Sequence, residues 1–229
     1  MKLTIVMPVL DEAATIGAAL ADLAPFRRRG VELIVVDGGS SDDTAALCRP
    51  LADRVLAAPR GRATQMNAGA AVASGDVLVF LHADTRLPEH ADATVHDGLA
   101  RSGKTWGRFD VRFSGGGGVR VIAAMMNLRS RASGIATGDQ AMFMTRSAFD
   151  AAGGFPPIPL MEDVAMSARL KRLGRPLALR ARATTSARRW HRHGVLRTVL
   201  LMWRLRLGFF FGADPVSLAR QYDPAASEH

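Results

Sequence analysis

Four short apolar runs, each separated from the next by a helical stretch, restrict this chain more than any other feature. They are Leu3–Val9, Val31–Asp37, Arg54–Ala58 and Asp76–Leu81. Runs that are apolar throughout, with no polar alternation, need cover on both faces, which is the mark of parallel strands. Ala13–Leu23, Asp42–Leu51 and Ala63–Ala73 read as the intervening helices, with Ser41 or Asp42 suited to cap the second. Right-handed crossovers then give a doubly wound α/β layer with a mostly parallel sheet, Rossmann-like in plan.

The rhythm changes after about residue 100. Thr105–Phe113 alternates like a strand with one wet face, and Gly115-Gly116-Gly117-Gly118 reads as a mobile loop or lid. It lacks the Lys-Ser/Thr of a P-loop. Val119–Ser133 and Met161–Leu173 read as helices, and Gln140–Met144 and Leu177–Ala183 as strands, the latter with Arg180 and Arg182 on one side. Val195–Phe211 is a hydrophobic helix carrying Arg197, Arg204 and Arg206. With 229 residues, no internal repeat and no long linker, one domain over 1–229 is expected. Within it, 1–100, 101–185 and 186–229 are read as successive parts, the last a basic, hydrophobic helical elaboration.

The charge is lopsided. Met1–Asp163 carries 17 basic and 18 acidic side chains, the remaining 66 residues 13 and 3, and no acidic residue occurs from Val164 to Ala213. Either a GC-rich genome, which favours Arg, or a C-terminal third that faces anions accounts for this: a nucleotide diphosphate, lipid headgroups or nucleic acid. One Tyr and no aromatic-rich basic motif speak against nucleic acid. The single Cys48 excludes an internal disulfide and suits a reducing compartment. Met1–Leu10 is followed by Asp11-Glu12 where a signal peptide would be cleaved, and no stretch reaches the ~18 uncharged apolar residues of a membrane span. A soluble, cytoplasmic protein is expected. The 195–211 helix suits core packing, a homodimer interface, or peripheral contact with anionic lipid at the inner face of a membrane.

Ligands of open α/β sheets bind beyond the carboxyl ends of the strands. Here those ends carry Pro8, Asp11 and Glu12, then Asp37, then His82 and Asp84. Asp84, with His82 as a second ligand, can hold Mg²⁺ or Mn²⁺ that also takes diphosphate oxygens, the imidazole tilting preference to Mn²⁺. Otherwise His82 bonds locally and Asp84 caps the next turn.

Taken in order, Asp11-Glu12, VVDGGSSDDT (35–44), the Asn67–Asp76 stretch, FLHADT (80–85) and Met161-Glu162-Asp163 resemble family 2 glycosyltransferases of the GT-A fold, over roughly residues 3–175. SARRW (186–190) before a hydrophobic helix looks like the small branch found near arsenosugar and radical-SAM genes. The resemblance implies a metal-assisted, inverting transfer of a sugar from a nucleotide diphosphate, UDP by preference, to a small-molecule or lipid-linked hydroxyl acceptor. Glu12 and Asp37 would contact uracil and ribose, with Pro8 and Leu10 shaping the base pocket and Arg60 and Arg62 near the nucleotide. Asp84 matches the last Asp of the Asp-X-Asp metal motif, whose first Asp is here His82. Asp163, beside Glu162, matches the catalytic base; without the resemblance, the pair suits a helix N-terminus. Asp139 and Gln140 line the acceptor side or form a turn. Arg188 and Arg189 clamp the diphosphate and Trp190 stacks on the sugar, or the three form a surface patch with a buried indole. His191 and His193 are metal ligands or ordinary polar residues. A sugar nucleotidyltransferase would carry a Gly-rich basic signature after strand one, which Asp11-Glu12-Ala13-Ala14 does not supply. A degenerate fold binding nucleotide without turnover, and a basic anionic-lipid or nucleic-acid binder, are the remaining alternatives.

Overall fold

A computed structural model describes residues 1–115, 118–188 and 194–222. Its strands are β1 (Leu3–Val9), β2 (Glu32–Asp37), β3 (Arg54–Ala57), β4 (Val77–Phe80), β5 (Thr85–Arg86), β6 (Trp106–Phe113), β7 (Phe143–Thr145) and β8 (Leu177–Thr185). They make a single sheet in the order β3-β2-β1-β4-β7-β6-β8-β5. β3, β2, β1 and β4 pair in parallel, as do β6 and β8; β7 runs antiparallel to both its neighbours and β5 to β8. The doubly wound, mostly parallel α/β layer expected from the apolar runs is the one found.

Every side chain of β1 and of β4 is buried, because the sheet is covered on both faces. Ile5, Met7, Leu33 and Val35 point into one core with Ile16, Leu20 and Phe26. Val6, Ile34, Val36 and Leu78 point into the other with Met66, Ala70 and Trp106. α1 (Ala13–Ala21) and α2 (Ala24–Arg28) follow β1, α3 (Thr44–Cys48) follows β2, and α4 (Arg62–Val72) precedes β4. α4 lies close against the sheet at Gly69, where a β-carbon would collide with Val6. Cys48 is buried, and burial followed by the negative charge of Asp37 pushes its thiol up to about 11, leaving it a packing residue.

Some local expectations are corrected. Helix Ala13–Leu23 stops at Ala21, with the separate α2 following beyond Leu23, and helix Asp42–Leu51 is only the five residues of α3. Ser41 does not cap α3; its backbone N–H and hydroxyl donate to Asp11 instead, while Asp42 accepts the Thr44 N–H. β6 has no wet face. Its alternation comes from Arg108, which is fully buried and paired with Asp110, itself paired with Arg131 of α6 (Val119–Ser133) at 2.7 Å. Strand Gln140–Met144 begins later, at Phe143, because Gly138–Gln140 is a 3₁₀ turn. α5 (Ala91–Ser102), α7 (Arg146–Ala151) and α8 (Glu162–Leu170) complete the layer.

Two C-terminal helices, α9 (Val195–Phe210) and α10 (Pro215–Tyr222), pack on the chain just ahead of α8. Leu205 and Leu218 are buried there against Leu160 and Met161. Among the described residues, no helix is long and apolar enough to cross a membrane.

Candidate functional site

β1 connects to β2 on one side and, through β3 and α4, the chain returns to β4 on the other, so the crevice beyond β1 and β4 is a topological switch point. A cleft of about 330 Å³ lies there, walled by Pro8, Leu10, Glu12, Arg60, Arg62, His82 and Asp84. These seven residues come from three segments far apart in sequence; six are the ones expected at the nucleotide, and His82 is the one expected at the metal.

Local hydrogen bonds hold the walls in place. Asp11 accepts from the Ser41 N–H at 2.7 Å, and the Glu12 N–H donates to Thr44 Oγ1 at 2.7 Å, lacing the loop after β1 to the loop after β2. Gln65 of α4 is buried and its Nε2 donates to the Val9 and Val36 carbonyls, 2.8 Å each, tying the two strand ends together. Sequence reasoning did not mark it; a Gln inside a small-residue helix was the available signal. Asp37 is buried, with its carboxylate accepting from the Gly39 and Ser40 N–H groups and the Ser40 hydroxyl. It shapes its loop and does not wall the cleft.

A second cavity, about 410 Å³, opens on the far side of the same residues. Arg62, His82 and Asp84 line it too, joined by Asp139, by Met126 and Arg129 of α6, and by Met202, Trp203 and Arg206 of α9. The carbonyl of Asp84 accepts the Ser186 N–H at 3.1 Å, which ties the end of β8 to this wall.

Asp139 lines the second cavity, while Glu162 and Asp163 stand behind Arg62 and line neither space. Arg62 Nε pairs with Glu162 Oε1 at 2.8 Å, the guanidinium side chain keeping 40% of its surface exposed and the carboxyl only 3%. Burial pushes Glu162 up to about 7; Arg62 pulls the other way and Asp163 adds to the rise. Asp163 Oδ2 accepts the Gly138 N–H at 2.8 Å and Oδ1 the Val164 N–H at 2.7 Å, which fixes its orientation at the start of α8. Asp139 lies with one oxygen 4.0 Å from His82 Nδ1. Enclosure raises its pKa, His82 opposes that, and the charges of Asp84 and Asp163 raise it further.

Three non-glycine residues among those described have positive φ: Asp11 (50°), Ala141 (44°) and Met161 (67°). Each adjoins a site residue, respectively Glu12, the 138–140 turn and Glu162. Such backbone is unfavourable for residues with a β-carbon and clusters where side chains must be aimed.

Other expected residues stand elsewhere. Gln140 is fully buried, closing its own turn by accepting the Thr137 N–H at 3.2 Å, and it reaches neither cavity. Arg188 is exposed and donates to Ser186 Oγ at 3.2 Å. Arg189, Trp190, His191, His193, Gly116 and Gly117 lie outside the described residues. The residues that sequence reasoning missed are Gln65, Arg129 and, as a site residue, Arg206.

Comparison with known proteins adds the family. Residues 4–150 match the profile of glycosyl transferase family 2. A PGL/p-HBAD biosynthesis glycosyltransferase of Mycobacterium bovis is 37% identical over 93 residues, 38% of this chain and 36% of that protein; the match thus spans little more than a third of the relative. Among solved structures, S. aureus TarS 1-349 in complex with UDP-GlcNAc superimposes with a TM-score of 0.68 at 18% identity, over 81% of this chain and 58% of TarS. Mannosyltransferase PcManGT from Pyrobaculum calidifontis, in complex with GDP-Man and Mn²⁺, gives 0.64 at 22% identity, over 90% of this chain and 61% of the other.

Proposed function

The chain belongs to glycosyl transferase family 2, and from that membership we propose that it moves a sugar from a nucleoside-diphosphate donor, UDP-linked by preference, to an acceptor hydroxyl. The observation that carries this reading is the pair of cavities meeting at Arg62, His82 and Asp84. A two-substrate transfer needs two spaces and one point of contact. The switch-point cleft is the donor side, with Pro8, Leu10 and Glu12 at the base and Arg60 and Arg62 toward the diphosphate. The second cavity receives the acceptor.

Asp163 is the candidate general base. It lines neither cavity but follows the Glu162 that pairs with Arg62; backbone N–H groups orient both its oxygens, and each keeps a lone pair to accept the acceptor's proton. Attack from the acceptor side on a sugar held in the donor cleft would invert the anomeric centre. Glu162 anchors Arg62 and so positions a cation near the leaving diphosphate.

Asp84 and His82 suit a divalent cation, Mn²⁺ or Mg²⁺, as a partial ligand set. Among the described residues no three His, Cys, Asp or Glu side chains group to hold a metal by themselves. A carboxylate and an imidazole beside a diphosphate cleft are what a cation completing its shell with phosphate oxygens and water requires. Bound there, the cation would neutralise charge on the departing diphosphate.

The test is calorimetric titration of UDP into metal-stripped protein with and without Mn²⁺, repeated on Asp84→Ala. Binding that depends on metal and disappears in the variant supports the reading. GDP is titrated in parallel because the PcManGT fold holds GDP-Man; tighter GDP binding would move the donor base to guanine. Absence of binding by either nucleotide would sink the donor assignment. Binding without transfer or hydrolysis across donors and acceptors would favour the non-catalytic alternative.

A further inference from the structure

The second cavity contains two arginines with buried nitrogens that the described residues leave unpartnered. Arg129 Nε and Nη2 and Arg206 Nε are buried without a hydrogen-bond partner among the described residues. Neither side chain takes part in an ion pair among those residues. The fold satisfies a buried arginine elsewhere: Arg108, deeper still, is matched by Asp110, Ser130 and the Asn127 carbonyl. Leaving a buried guanidinium unpaired is costly. Here two half-buried arginines stand together; enclosure and then the charge of Arg206 depress Arg129 to about 10, with Asp163 opposing.

Sequence context rules out a local counter-ion on α9, since no acidic residue occurs between Val164 and Ala213. α6 is held by Asn127, whose amide bonds both the N–H and the carbonyl of Val111 at 2.8 and 3.0 Å. That register turns Ile122, Met125, Met126 and Arg129 to the cavity. Apolar side chains of α6 and α9 make up much of the remaining lining, and the wall shared with the first cleft, together with Asp139, supplies a polar part. At the mouth, Met125 and Trp203 are 51% and 58% exposed. From Trp203 an exposed apolar stripe runs along α9 through Leu196, Leu200, Leu207 and Phe210, spaced three and four residues apart on one face.

We propose that this cavity is a binding site for an amphiphilic oxyanion, its phosphate-class or carboxylate group on Arg129 and Arg206 and its hydrocarbon portion along the apolar walls toward the α9 stripe. That this amphiphile is the sugar acceptor rests on the glycosyl-transfer reading; the anion site itself does not. An uncharged sugar would leave the unpartnered arginine nitrogens with no charge to match. Methionine adapts to irregular apolar shapes and suits a flexible tail. Guanidinium forks match the oxygens of phosphate or carboxylate bidentately.

Octyl phosphate, inorganic phosphate and octanol serve as probes in calorimetry on the full chain, with Arg129→Gln and Arg206→Gln. Octyl phosphate is expected to bind at least ten times more tightly than either of the other two. Each substitution is expected to weaken it tenfold or more while leaving UDP binding with Mn²⁺ within twofold. Arg129→Met is expected to melt at a higher temperature than wild type, because it removes an unpaired buried cation; a merely structural arginine would give a lower one. Octyl phosphate affinity unchanged in both Gln variants overturns the proposal. So does parallel loss of UDP and octyl phosphate, which would assign the arginines to the donor diphosphate. Inorganic phosphate binding as well as octyl phosphate overturns the amphiphile. Failure of wild type to bind any nucleotide counts only against the transferase reading. Sedimentation with phosphatidylglycerol vesicles separates sources: pelleting that depends on Arg129 identifies a membrane-borne ligand, and tight octyl phosphate binding without pelleting a soluble one.

Discussion

Glu162 holds its proton more tightly in the folded chain than in the unfolded one. Its carboxyl is raised from 4.5 to about 7, burial outweighing the attraction of Arg62. The sign follows from linkage: the folded state binds the proton more tightly, so this contribution to stability is complete below about pH 4.5 and is lost as pH rises through 7. Melting temperature is therefore expected to fall over that interval, and Glu162→Gln to flatten the fall. Parallel profiles for wild type and variant would refute the assignment. Gly138 gives a second residue-scale prediction. A methyl there would collide with the His82 ring, so Gly138→Ala must turn His82 out of its present place. Overpacking of this kind costs about 1–3 kcal/mol. Nucleotide titrations should show weakened Mn²⁺ dependence in this variant; unchanged dependence would remove His82 from the metal assignment.

Elements differ in how far the sequence reveals them, and the reason is physical. β1, β2 and β4 are read directly because strands covered on both faces are apolar nearly throughout, Thr4 being held by Glu32, and their ends could be named as ligand positions without knowing the sheet order. β6 misleads, since Arg108 and Asp110 imitate a solvent face while neutralising one another inside the core. That pair predicts its own test: Asp110→Ala leaves a fully buried guanidinium without its carboxylate and is expected to cost about 3–5 kcal/mol in urea unfolding. A loss below about 1 kcal/mol would mean that α6 holds β6 without it. The site divides the same way. Pro8, Glu12, Arg60 and Asp84 are legible from their place at strand ends and next to turns. Arg129 and Arg206 are not, because each sits within an ordinary helical pattern and only the packing of α9 against α6 brings them together. The positive φ at Met161, which aims Glu162 and Asp163, leaves no trace in residue type, for methionine is a poor choice there on local grounds.

On the scale of the whole molecule, positive charge is concentrated in the last third, with 13 basic and 3 acidic residues after Asp163. A field of that shape speeds the approach of anions and is screened by salt. Association rates for anionic ligands should fall steeply between low salt and physiological ionic strength, by stopped-flow, while dissociation rates change little; a salt-independent rate would show that the Arg-rich third takes no part in capture. The three side chains common to both cavities have a consequence of a different kind. A ligand filling one chamber presses on Arg62, His82 and Asp84, and the other chamber meets those same atoms as its own floor. The two occupancies are thus one thermodynamic quantity. Whatever factor the nucleotide applies to the affinity of its companion, the companion must return in equal measure, so whichever molecule arrives first sets the terms on which the second is admitted.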